Sequence, residues 1–220
     1  EEETTIEILL DDNEDEVTEN EISDKSFENY AGIDQSKLKS AKGQLLMGMI
    51  AESLDFNNEA LQLYMQSASK GLREAKGRIG ALIYKRNGDL ELAEKILINA
   101  TGWNKEAKSC IMKASDAVNF FNDTFMNSVD ECNISLFNLG LLNFFGLKKI
   151  EEARNIFIYL YDSKFIDAPY MIAMTYHIEK NYNEALKWYK VAADEFAIDE
   201  AQKAYDQINE ALNNEGSSNQ

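Results

Sequence analysis

Apolar residues recur along this chain at three- and four-residue intervals, and small residues recur at a longer interval of about thirty. Four stretches share the pattern: GQLLMGMIAESLDFNNEALQLYMQSA, AKGRIGALIYKRNGDLELAEKILINA, SLFNLGLLNFFGLKKIEEARNIFIYL and APYMIAMTYHIEKNYNEALKWYKVAA. Each has a small residue on a first helical segment (Gly48, Gly80, Gly140, Ala173). Each has an alanine on a second segment (Ala60, Ala93, Ala153, Ala185), followed by bulky apolar residues. Spacings are 32, 60 and 33 in the first set and 33, 60 and 32 in the second. Helical periodicity inside a fixed longer repeat predicts stacked helix hairpins, that is, an all-α solenoid. The gap of 60 predicts a fifth, degenerate hairpin between Ala107 and Asn133, turning near residue 121, with Thr124 in the alanine's place.

The physical content of the signature is packing. Small residues let helices approach closely, and the aromatic or branched residues fill the adjoining space. Asn87-Gly88-Asp89 and Gly146 mark turns within hairpins, while Gly71 and Gly102 mark junctions between them. Pro169 lies two residues after Asp167, an N-cap candidate, where a missing N–H costs little. Residues 198–213 place Ala201, Ala204, Tyr205, Ile208, Ala211 and Leu212 on one stripe, the pattern of a capping helix that closes an array. The expected organisation is an acidic, largely flexible segment over 1–35, a repeat domain over 36–213 and a frayed tail over 214–220.

Charge is unevenly spread. The net charge is −17, and residues 1–24 hold twelve acids with no Lys or Arg. Phosphate binding relies on neutralisation by Lys and Arg, so nucleic acid is not an expected ligand. A basic protein partner suits the whole chain better. Within the acidic segment the island Ile6-Glu7-Ile8-Leu9-Leu10 precedes a run of acids, an arrangement that resembles SUMO-binding peptides and suits a docking motif. No run of about 18 apolar residues is present, so no transmembrane helix is expected. The sequence shows neither an initiator Met nor a signal peptide, which reads as a processed or trimmed chain and leaves the compartment open, with the cytoplasm slightly favoured.

In chain order, the last of the five hairpins resembles a Sel1-like repeat, a relative of the tetratricopeptide repeat, through Ile172-Ala173, Tyr176, Tyr182, Ala185, Leu186, Trp188, Tyr189, Ala192 and Ala193. The first and second match through Gly48, Ala60, Tyr64 and Ala68, and through Gly80, Ala93, Leu97 and Ala100. The fourth matches through Leu139-Gly140 and Ala153. The resemblance implies a right-handed α-superhelix acting as an adaptor or assembly scaffold. Its repeats are shorter here than the usual Sel1 length, and the third is degenerate, which implies a kink or rearrangement at that point.

Catalysis is not expected, and neither is a cofactor or metal. The chain has one histidine, His177, and two cysteines, Cys110 and Cys132; no phosphate-binding loop occurs. The cysteines lie symmetrically about residue 121 and read either as buried thiols or as a bridge across a hairpin. Two surfaces are candidates for binding another protein or peptide. Residues 36–88 hold nine bases against four acids; Arg73, Lys76, Arg78, Tyr84 and Lys85 fall there as a groove for an acidic peptide, with the chain's own acidic tail a competitor for it. Phe137, Phe144, Phe145 and Tyr170 are the candidate aromatic anchors. A second functional reading is an acidic immunity or antitoxin-like protein that occludes a basic toxin or nucleic-acid enzyme.

Overall fold

The computed structural model describes residues 38–86, 88–110 and 128–217; the side chains of 109, 110, 128–131 and 215–217 lie outside that description. Among the described residues the fold is helical apart from one short ladder. It divides into two compact units, Glu1–Thr101 and Gly102–Gln220. The first unit holds α1 (Ala41–Ser53), α2 (Asn57–Ser69), α3 (Arg73–Lys85) and α4 (Leu90–Thr101). The second holds β1 (Trp103–Asn104), β2 (Ser109–Cys110), α5 (Ser128–Leu141), a π-helical turn (Leu142–Gly146), α6 (Ile150–Asp162), α7 (Ala168–Ile178), α8 (Tyr182–Phe196) and α9 (Asp199–Ser217). Within each unit, consecutive helices pack on one another.

The pairs α1/α2, α3/α4, α5/α6 and α7/α8 are the four hairpins read from the repeat. The first three are held by the same contact. A Cβ added to Gly48 would lie 2.5 Å from Tyr64 Cε1, one at Gly80 2.7 Å from Leu97 Cγ, and one at Gly140 2.5 Å from Phe157 Cε1. The blocking residue stands four positions after the signature alanine in all three cases, one helical turn further along the same face. In the fourth hairpin Ala173, Ala185 and Tyr189 are buried together in one apolar cluster. Ala60, Ala93, Ala153 and Ala185 are themselves fully buried. Their N–H groups donate to the carbonyls of Phe56, Asp89, Lys149 and Asn181, which start the second helices.

Helix ends recur as well. Asp55 N–H donates to Glu52 O and Phe56 N–H to Ala51 O; the same pair of bonds closes α2 at Gly71 and Leu72, α6 at Lys164 and Phe165, and α7 at Lys180 and Asn181. This is the Schellman stop, with a left-handed residue just past the helix. Gly71 (φ 83°) fills that position as expected, and Gly102 (φ 63°) is also left-handed. Asp55, Lys164 and Lys180 take it without being glycine. In the α5–α6 connection the left-handed residue is Lys148 (φ 58°), and Gly146 instead ends the π-turn.

Three expectations change. The spacing predicts helix from Ala107 onward; residues 103–110 instead form an antiparallel ladder pairing Trp103 with Cys110 and Asn104 with Ser109. The turn there is closed by Ala107 N–H donating to Asn104 Oδ1 at 2.8 Å, a local bond that competes with helix formation. The rest of that hairpin, through residue 127, lies outside the described residues, as does the acidic segment to residue 37; α5 already begins at Ser128. Asp167 occupies the N-cap of α7 with Pro169 in the first turn, but its side chain makes no capping bond. Finally, α9 runs to Ser217 rather than stopping at 213. No proline interrupts it, and a single Gly216 near the end costs only about 1 kcal/mol.

Candidate functional site

The basic residues on α3 are engaged in holding the first unit together. Arg73 Nη2 donates to Asn99 O at 3.2 Å, and Lys76 Nζ donates to Asn99 Oδ1 at 3.0 Å. Asn99 lies in the last turn of α4, where backbone carbonyls lack intrahelical partners, so Arg73 serves as a cap supplied from the neighbouring helix. At the other end of α3, Lys85 Nζ pairs with Glu52 Oε1 at 3.0 Å. Glu52 Oε2 accepts from Tyr64 OH at 2.8 Å. Burial pushes the Glu52 carboxyl up, but the Tyr64 hydroxyl, the Lys85 ammonium and the Arg78 charge outweigh it and hold the pKa below its ordinary value. Arg78 and Lys85 thus act on one carboxylate, in keeping with their seven-residue spacing on one side of α3. Tyr84 is half-buried, and burial raises its phenol pKa.

Glu52, Tyr64 and Asn99 were missed as members of this cluster. A signal existed for two of them. Tyr64 is the bulky residue four after Ala60, and Glu52 stands four after Gly48, so the repeat itself places them on facing sides of the first hairpin. Nothing in the local sequence marks Asn99.

The aromatic set divides. Phe144 is 1% exposed and is core, so it presents no surface to a partner. Phe145, the next residue on the π-turn, is 47% exposed, and its ring meets Phe144 edge-on with centroids 4.7 Å apart. Beside them Asn143 is buried, its main-chain O accepting from Lys149 N–H, while its Oδ1 has no protein partner. Phe137 is half-buried between Phe157 and Phe165, at 5.7 and 4.9 Å. Tyr170 is half-buried against Tyr189, with ring centroids 5.7 Å apart.

Tyr189 organises the last hairpin. Its OH donates to Met174 Sδ at 3.2 Å and lies 3.1 Å from His177 Nδ1. Desolvation, with a smaller contribution from Tyr170, pushes its pKa up to about 12. His177 also meets the Tyr182 ring edge-on, so the chain's one histidine sits inside an aromatic network. The sequence also left Arg154 unremarked. Its Nε donates to Thr175 Oγ1 at 2.9 Å, its guanidinium lies 4.1 Å from the Tyr176 ring centroid, and Nη2 pairs with Glu179. That one side chain fastens α6 to α7.

Among the described residues no three His, Cys, Asp or Glu side chains converge as a metal site, and no helix is long and apolar enough to cross a membrane. Cys132 is half-buried on α5, and its relation to Cys110 falls outside the described side chains. The acidic pairs in residues 11–16 also lie outside them. Glu151 is exposed, and Glu152 faces Lys105 at 3.7 Å. No protein-family model matches the chain, and no curated protein matches it in sequence.

Proposed function

We propose that this protein is a non-catalytic interaction module, an adaptor or scaffold of Sel1/tetratricopeptide-like helix hairpins coiled as a right-handed solenoid, that holds another protein or peptide. The observation that carries the reading is Phe145. A large aromatic ring stands half in solvent on a π-turn, a helix irregularity common at functional sites, and is oriented from below by a fully buried ring. An anchor already fixed in place loses little conformational freedom on binding, which is the property of residues that dominate interface energetics. The repeated hairpin supplies a rigid support, because three of its helix pairs, α5/α6 beside Phe145 among them, are set by contacts with no room for an added methyl group.

The reading predicts a protein partner recoverable from native cells by affinity capture with the intact chain. Once that partner is purified, Phe145→Ala weakens its binding at least tenfold, about 1.4 kcal/mol. Phe137→Leu, a change in the half-buried ring cluster, leaves affinity within about twofold (under 0.5 kcal/mol). Equal affinity of the Phe145→Ala protein and the unchanged one contradicts the reading.

A further inference from the structure

α1 is apolar on the side turned away from the core. Its inward side is Gln44, Leu45, Met47, Gly48 and Ala51, all buried. Leu46 is 52% exposed and Leu54, at the C-cap, 58%, while Met49 and Ile50 between them are half-buried, packed on one side against the core. Leu46, Ile50 and Leu54 are four residues apart, so they form one stripe along the helix. Large apolar side chains grouped on an exposed helix face mark a surface that is normally covered. The stripe begins at a basic end: Lys39, Lys42 and Lys70 are exposed around the start of α1, with Lys70 Nζ bonded to Lys39 O at 2.7 Å. No acid sits in the first turn of α1 to offset the positive end of its dipole.

The segment immediately N-terminal in sequence has the complementary order. Residues 1–37 carry fourteen acids and two bases, whereas residues 38–101 carry nine bases and seven acids, a balance of +2. Five apolar-rich residues, Ile6 to Leu10, come first, and the acids Asp11, Asp12, Glu14, Asp15 and Glu16 follow. We infer that residues 6–16 of this chain dock on the outward face of α1, with Ile6–Leu10 covering Leu46, Ile50 and Leu54 and the acids facing Lys39, Lys42 and Lys70. The order fits: the acids are nearer in sequence to α1, and the lysines stand where α1 begins. The lengths fit too. Ile8 to Glu14 spans about 20 Å extended, and Lys42 to Leu54 spans about 18 Å along a helix. Residues 17–37 span up to about 70 Å, ample for the return. None of these residues belongs to the Phe145 surface, and the docking does not depend on the adaptor reading.

Hydrogen–deuterium exchange on the full chain at low salt is the test. In the unchanged protein, amides of residues 6–16 exchange at least tenfold slower than the chemical rate of that sequence. Leu46→Ser with Leu54→Ser restores the chemical rate while exchange in α3 and α4 stays the same. Replacing the five acids at 11–16 by Asn and Gln restores it as well. Exchange at the chemical rate in the unchanged protein overturns the inference, and so does protection that survives either set of substitutions. Protection found only at concentrations where sedimentation shows a dimer assigns the face to a second copy and overturns it equally.

Discussion

At Glu52, burial by itself raises the carboxyl's pKa, yet the group titrates below its ordinary value because Tyr64, Lys85 and Arg78 all favour the anion. A folded-state pKa below the ordinary 4.5 means that the stabilisation is present at neutral pH and is lost as pH falls from 4.5 through the folded value. Lys85 is largely exposed, so solvent screens its share. Glu52→Gln is therefore expected to cost about 1 kcal/mol at neutral pH. Urea unfolding at successive pH values below 4.5 should show that difference shrinking as the pH falls; a difference independent of pH would assign it to packing. The charges on α3 were legible in the sequence, but their partners were not. Lys85 and Glu52 are 33 residues apart, and Arg73 and Asn99 are 26 apart. Charge counting finds a basic stretch; only the fold reveals that part of it is already occupied.

Between helices, the backbone repeats at half the period of the side-chain signature. Among the left-handed residues at helix ends, Asp55 and Gly71 in the first unit are sixteen apart, and so are Lys148, Lys164 and Lys180 in the second. Glycine marks one of these five, so a reading that looks for glycine misses the others. A non-glycine residue in this conformation carries a steric cost of about 1 kcal/mol that glycine avoids. Lys180→Gly should accordingly raise stability by about 0.5–1 kcal/mol, while Lys190→Gly, at an exposed position inside α8, should lower it by about 1 kcal/mol. Thermal unfolding of the two variants separates the effects by sign. The third hairpin was illegible for another reason: Ala107 and Thr124 lack the small-and-bulky pair, so only arithmetic on the gap suggested a helix there. The local Asn104 bond closes a short ladder where that arithmetic expected helix.

Over the whole chain, one packing rule recurs in both units. The hairpin pairings were legible because Gly48, Gly80 and Gly140 are written next to their cause, a second helix whose bulky residue leaves no room for a Cβ. The division at Thr101–Gly102 was not, since a signature that records contact between neighbouring helices is silent about where contact thins out. Of the aromatic candidates, sequence named Phe144 and Phe145 alike; the π-turn separates them, one into the core and one to the surface. The most direct measurement is equilibrium unfolding of Gly140→Ala, alone and combined with Phe157→Leu. Helix propensity alone would make the single substitution stabilising by about 1 kcal/mol. The packing rule predicts a loss of about 1–3 kcal/mol, the same sign for Gly48→Ala and Gly80→Ala, and a double variant less destabilised than the sum of its parts. A more stable Gly140→Ala protein, or strict additivity with Phe157→Leu, would contradict it.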